Sequence, residues 1–199
     1  MPETKLQQPE DDKQLVLQAV AGSQSAFRKL YDHYQKKISR LVGSMVGSPE
    51  DANDIVQEVF IRAFRSLDSF KGASSFYTWL YRIALNATTD FRRKQARRFQ
   101  SAPEKPLSEI EQGARQLAAP VEQSPEGELY RKELAQLVRR ALDTLGREHR
   151  EVMVLREISG LSYTEIAGIT GVTIGTVMSR LHYARKKVAE TLQRWKVVD

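Results

Sequence analysis

Apolar residues along this chain recur with the 3.6-residue period of a helix, and no stretch alternates with the two-residue period of a strand. The period predicts helices over 14–21 and 25–46, parted near Gly22, the longer one burying Phe27, Leu30, Tyr31, Tyr34, Ile38, Leu41 and Val42. Ser48-Pro49-Glu50-Asp51 reads as a helix start, with a Ser cap, Pro at the first position and acids in the first turn. That helix should run to about residue 67 with Val56, Val59, Phe60, Ala63 and Leu67 facing inward, and another is expected over 74–98. Further on, helices are predicted over 128–145 and 148–159, then two short ones within 161–187. There Ser162 and Glu165 have the spacing of a capping box, and Gly171 stands where a sharp turn needs positive φ. Thr173 can cap the next helix, in which Ile174, Val177, Leu181 and Ala184 form one apolar stripe. The fold class is all-α.

Between 99 and 127 the pattern fails. Residues 101–127 contain four prolines, two glycines and no aromatic side chain, the composition of a linker with at most one helical turn near 108–117. It divides the chain into two small helical domains, 1–98 and 128–199, joined by an extended linker over 99–127. At full extension its roughly 28 residues span on the order of 90 Å, so the two modules can sit far apart on a large partner.

Charge follows the same division. Residues 25–98 carry fourteen basic and seven acidic side chains, and residues 128–199 carry thirteen and nine. The segment between them carries two basic and five acidic. Two basic modules flanking an acidic connector, within a chain of net charge +6, point to polyanion binding by both. The 199 residues include no cysteine, which excludes disulfides and thiolate metal sites and fits a reducing cytoplasm. No apolar run reaches the ~18 residues of a membrane span, so no membrane insertion is expected, and residues 1–13 lack the apolar core of a signal peptide.

Four groups of residues carry candidate chemistry. Opposite the apolar stripe of the last helix lie Thr176, Ser179, Arg180, Tyr183, Arg185 and Lys186. That is the layout of a helix-turn-helix whose second helix enters a DNA major groove, although an ordinary helix pair with a solvated basic face has the same pattern. On the helix after Ser48, Asp51, Asp54 and Glu58 share a face beside Gln57. Helix-dipole stabilisation accounts for the first two, and Glu58 can pair with Arg62, yet the stripe also suits docking on a basic protein surface. Phe70, Phe76, Tyr77, Trp79 and Tyr81 fall within twelve residues around the loop Lys71-Gly72-Ala73-Ser74-Ser75. Trp79, Leu80 and Ile83 are expected to face the core, with Tyr77 and Tyr81 on a different face that cannot be buried with them. For the group as a whole, core packing and stacking on unpaired bases, worth roughly 1–3 kcal/mol per base, are equally compatible. Finally, Asn86, Asp90, Arg92, Arg93, Lys94, Arg97 and Arg98 end the fourth helix with more positive charge than capping requires, which favours phosphate contact and base-edge reading.

In combination, DANDIVQEVFIRAFRSLDSF, SSFYTWLYRIALNATTDFRRKQARR and LREISGLSYTEIAGITGVTIGTVMSRLHYARKK resemble the bacterial RNA polymerase sigma factors of the extracytoplasmic-function (ECF, sigma-70 group 4) type, over about 14–192. The resemblance implies a promoter-specificity factor with no catalytic activity, no cofactor and no metal. It places Asp51, Asp54, Gln57, Glu58 and Phe60 in the helix that docks on the clamp helices of the largest polymerase subunit. Lys71, Ser75, Phe76, Tyr77, Trp79 and Tyr81 fall in the segment that melts the −10 element, and Asn86, Asp90, Arg92, Arg93 and Arg97 in its recognition helix. Thr173, Thr176, Met178, Ser179, Arg180, Tyr183, Arg185 and Lys186 match the helix that reads the −35 element, in a module that binds the β flap. An anti-sigma factor is an expected further partner. Many relatives have Pro where Thr173 stands and basic residues where Met178 and Tyr183 stand, so the −35 preference should differ, with Met178 offering apolar contact to a thymine methyl in place of a bidentate guanine contact.

Two other readings compete. A stand-alone helix-turn-helix regulator would bind duplex DNA tightly, usually as a dimer, but no dimerisation seam is evident. A nucleic-acid enzyme would need catalytic clusters, and His33, His149 and His182 are scattered with no HExxH or phosphate-binding glycine loop nearby.

Overall fold

A computed structural model of the chain describes residues 10–70, 72–99 and 125–195. Eight α-helices are found among them: α1 Glu10–Val20, α2 Gln24–Met45, α3 Pro49–Arg65, α4 Phe76–Phe99, α5 Pro125–Asp143, α6 Arg147–Met153, α7 Tyr163–Thr170 and α8 Ile174–Arg194. A 3₁₀ turn, Leu67–Ser69, follows α3, and α6 runs on into a π turn, Val154–Ile158. Lys71, the segment 100–124 and the helical turn expected near 108–117 lie outside the described residues.

The helix starts are set by local chemistry. Ser48 Oγ accepts the Asp51 N–H at 3.2 Å with Pro49 opening α3. The Ser162–Glu165 capping box is complete in both directions, and Thr173 Oγ1 accepts the Thr176 N–H at 3.2 Å to open α8. Gly171 closes α7 in the left-handed region at φ 71°, a conformation that any side chain would strain. Several boundaries differ from the sequence expectation, among them α5, which runs from Pro125 to Asp143 against an expected 128–145. Helix α1 begins earlier because Glu10, Asp11 and Asp12 suit a helix amino end, and the buried Asp12 also accepts the Tyr34 hydroxyl. Helix α4 begins at Phe76, since Ser75 Oγ caps it by accepting the Thr78 N–H at 3.0 Å.

In the first module α2 packs against α1, α3 and α4, and α3 against α4. Leu30, Ile38, Leu41, Val42, Val59, Ala63, Leu80 and Ala84 are fully enclosed between them. In the second module α8 packs against α5, α6 and α7 over Val152, Leu155, Leu161, Ile166, Leu181 and Ala184. Arg150 is buried there and donates to the carbonyls of Leu142 (2.8 Å), Asp143 (2.8 Å) and Leu145 (3.1 Å) at and just beyond the end of α5, the first of which also accepts the Leu145 N–H at 3.1 Å. Burial and the neighbouring Arg92 both depress its pKa, and Asp143 opposes them.

The modules do not stand apart. Helix α4 packs on α7, and α2 on the π turn, so that one hydrophobic core is continuous through both. The reach of the connector permits separation, but tertiary contacts bring the modules together.

Replacing Arg150 by Met keeps the volume and removes three hydrogen bonds to helix-end carbonyls. Urea unfolding is expected to show a loss of roughly 2–4 kcal/mol, about 1–3 kcal/mol for each of the Asp143 and Leu145 carbonyls left unpaired, offset in part because a buried charge no longer has to be desolvated.

Candidate nucleic-acid interface

Helix α8 buries Val177, Leu181, Ala184, Val188 and Thr191 and turns its other side to solvent. Met178 and Tyr183 are about half exposed, at 53% and 51%, with Ser179, His182 and Lys186 exposed beside them. Tyr183 is steadied by the His149 ring, 4.5 Å away. Thr173 and Thr176 serve the amino end, their hydroxyls 2.9 Å apart. Arg180 is mostly covered and pairs with Glu148, while Arg185 donates twice to Glu157 Oε1, at 3.0 and 2.7 Å. The Arg185 pKa is accordingly raised. The expected −35 residues therefore come together on one helix face, but two of its arginines already hold carboxylates. His182, at i+4 from Met178, is exposed on the same face and is passed over by charge counting.

Helix α4 changes character along its length. Phe76, Tyr77 and Tyr81 are buried, at 1%, 6% and 1% exposure, and the two tyrosine rings lie 4.3 Å apart. Burial raises both phenol pKa values. Stacking on bases was as compatible with the spacing as core packing; for these three the structure shows core. Trp79, expected in the core, is only half-buried because Tyr77 and Tyr81 take the inner face, and its ring lies 5.1 Å from the equally half-buried Phe70 and 5.6 Å from Phe76. Farther along, Asn86, Asp90, Arg93 and Arg97 are exposed, Asp90 lies 4.0 Å from Arg62, and Arg92 is engaged by Asp143 at 2.8 Å.

On α3, Asp54, Gln57 and Glu58 are exposed and Asp51 partly so. Glu58 takes Arg62 at 2.6 Å. Phe60 is buried, with its ring against Tyr31 at 4.6 Å, and contributes only to the floor of the groove beside these side chains. The exposed apolar residues are Ile61 and Phe64, each 49% accessible. With Phe27, Tyr31 and Gln57 they line a groove of about 690 Å³ between α2 and α3. Sequence spacing misses this pair because Phe60 and Phe64 are one turn apart and equally apolar.

Residues 30–98 match the family Sigma-70 region 2 and residues 135–188 the family Sigma-70, region 4. Over 92% of its length the chain is 40% identical to the ECF RNA polymerase sigma-E factor of Escherichia coli strain K12, covering 94% of that protein. The chain belongs to the ECF sigma factors. It is also 37% identical to the RNA polymerase sigma-H factor of Pseudomonas aeruginosa, over 92% of the chain and 95% of the relative. Among solved structures it resembles CnrH in complex with the cytosolic domain of CnrY, with a TM-score of 0.67, 26% identity and coverage of 93% and 99%. It also resembles the sigma factor RpoE in complex with the anti-sigma factor NepR from Bartonella quintana, with a TM-score of 0.60, 27% identity and coverage of 84% and 96%.

As a sigma factor the chain catalyses no reaction. It binds core RNA polymerase, recognises the −35 and −10 promoter elements and promotes DNA melting at initiation. Among the described residues no helix is long and apolar enough to cross a membrane.

The burial difference within α4 gives a direct comparison. Trp79→Ala should reduce open-complex formation on duplex promoters by about tenfold, more than on pre-melted ones, because it removes a stacking platform. Tyr77→Ala should cut both equally and lower the melting temperature, because it opens a core cavity.

Proposed function

We propose that the work of this sigma factor is divided between 1–98, which holds core polymerase and the −10 element, and 128–199, which reads the −35 element, with 99–127 as the connector. The observation that carries the reading is the α8 face, where Met178, Ser179, His182 and Tyr183 project together from a helix-turn-helix closed by its own capping box. That face offers apolar and hydroxyl contacts to base edges. Lys186 and the two paired arginines lie where they meet phosphates.

The groove between α2 and α3, flanked by Asp54, Gln57 and Glu58, is the docking surface for the clamp helices of the largest polymerase subunit. Ile61 and Phe64 supply its apolar anchor, with the acidic side chains as a rim that selects a basic partner. Exposed apolar side chains of this kind mark an interaction site more often than scattered surface residues do. The second module meets the β flap. Trp79, Asn86, Arg93 and Arg97 contact the opened −10 strand once core polymerase is bound, with Ser75 and Lys71 at the adjoining loop. The chain acts in the cytoplasm, where polymerase and promoter are. An anti-sigma factor is proposed as its regulator, supported by the likeness to CnrH with the cytosolic domain of CnrY and to RpoE with NepR.

Two experiments separate the parts. Phe64→Ala should weaken binding to core polymerase by roughly tenfold, the loss of about 1.4 kcal/mol, while costing little stability, since its ring keeps only an edge contact with Phe27 at 5.0 Å. Phe60→Ala should instead destabilise the module by roughly 3–5 kcal/mol; equal effects from the two would remove the groove from the interface. Met178→Arg should shift the preferred −35 base from thymine towards guanine by about 1–3 kcal/mol, read by transcription from a promoter library randomised at −35. An unchanged preference would take Met178 out of base reading.

A further inference from the structure

Two side chains on the outer face of α8 are held from α6. Glu148 and His149 are consecutive on α6, and Arg180 and Tyr183 lie one turn apart on α8. The Glu148 carboxylate takes the Arg180 guanidinium, and the His149 ring lies 4.5 Å from the Tyr183 ring, tilted by 46°. Because α6 and α8 pack directly on one another, these partners sit on a fixed neighbour and not on a loop.

The two contacts respond differently to DNA. Glu148 is largely exposed, and a surface ion pair of that kind gives way to phosphate. His149 is partly buried, with its Nδ1 turned back towards the start of its own helix: a Cβ at Gly146 would lie 3.8 Å from that nitrogen. A ring pair at this separation is attractive without relying on ionic charge, so phosphate does not compete for it. The contact with Tyr183 can therefore persist on DNA.

Tyr183 gains specificity from such a support. Its hydroxyl both donates and accepts. A mobile hydroxyl can satisfy the donor edge of adenine or cytosine as readily as the acceptor edge of guanine or thymine, whereas one held at a fixed place meets a single edge. Holding the ring beforehand also removes the cost of ordering an exposed side chain on binding.

We propose that His149 is a positioning residue for −35 recognition: it holds Tyr183 so that the hydroxyl meets one base edge, which makes α6 a determinant of −35 specificity beside α8. The proposal rests on the reading of Tyr183 as a −35 contact. It adds to that reading a residue outside the recognition helix.

Transcription from promoters randomised at −35, by the full-length protein with core polymerase, provides the test. Tyr183→Ala should erase the preference at the base position that Tyr183 reads. His149→Ala should weaken the preference at that same position by about three- to tenfold, the range for losing one aromatic pair. The preference assigned to Met178 and the melting temperature should both hold. His149→Phe keeps a ring against Tyr183 and should restore the preference. In the Tyr183→Ala background, His149→Ala should change the preference no further, as expected of a residue that acts through another. A full preference in His149→Ala overturns the proposal, as does a loss spread evenly over all −35 positions or a failure of Phe to rescue. An undiminished effect of His149→Ala once Tyr183 is gone also overturns it, because His149 then touches DNA itself. An unchanged preference in Tyr183→Ala takes Tyr183 out of base reading and the proposal with it. Loss of preference in Tyr183→Ala alone, with His149→Ala intact, removes the positioning role and leaves the reading of Tyr183 standing.

Discussion

The structure depends on how helix carboxyl ends are satisfied. An all-helical chain leaves up to four carbonyls unpaired at the end of each helix, and burying them without partners costs about as much as losing hydrogen bonds. Here arginine supplies several of the missing donors. Arg150 closes α5 from within its own module and is buried. Arg92 and Arg139 close α2, and Arg82 closes α7. The chemistry is the same throughout, but burial separates the roles. The buried cap is fixed, since its removal strands polar groups away from water. The caps between the modules are partly exposed, so their loss would leave those carbonyls within reach of water. One type of interaction thus closes helices both inside a module and between the two modules.

This also explains where the basic excess of the first module lies. An arginine that caps a helix and an arginine that meets a phosphate are indistinguishable in a charge count. Of the cations on α4, Arg82 and Arg92 are held by groups of other elements, whereas Arg93 is exposed and Arg97 reaches only the Arg93 carbonyl of its own helix, at 3.4 Å. The first pair joins the modules and the second pair gives the helix its open basic surface. Charge distribution along the chain therefore predicts that the module is basic, but not which of its cations are available.

The features legible in the sequence are those fixed within a few residues. The Ser48-Pro49 start, the Ser162–Glu165 box, the Thr173 cap and the positive φ at Gly171 all appear where local chemistry puts them. Neighbouring positions on one helix were harder to rank. Phe60 and Phe64 share spacing and polarity, and only the approach of Tyr31 on α2 decides that Phe60 is inside. Tyr77 and Trp79 are likewise separated by tertiary packing, since Tyr34 and Tyr81 flank Tyr77 while Trp79 rests against Phe70 near the surface. The contact between the modules could not be read at all. Its donors act on backbone carbonyls, which every sequence provides, across some ninety residues of chain separation (Arg82 to Gly168 is 86 and Arg139 to Gly47 is 92).

The paired arginines of α8 bear on how a weak DNA reader is made selective. Arg180 and Arg185 would each add a sequence-independent phosphate contact, with the counterion release that lets a protein bind any duplex. Glu148 and Glu157 occupy them instead. An exposed ion pair of this type contributes only about 0–1 kcal/mol, so DNA can displace the carboxylates when the helix is already well placed. Each displacement still subtracts from the gain of a random encounter, and the carboxylate released is a negative charge left near the phosphates. With Met178, Ser179 and Tyr183 reading bases as proposed, the acids lower non-specific binding more than binding at a promoter. A module tuned in this way depends on polymerase and on its companion module for affinity, and keeps base contacts for discrimination.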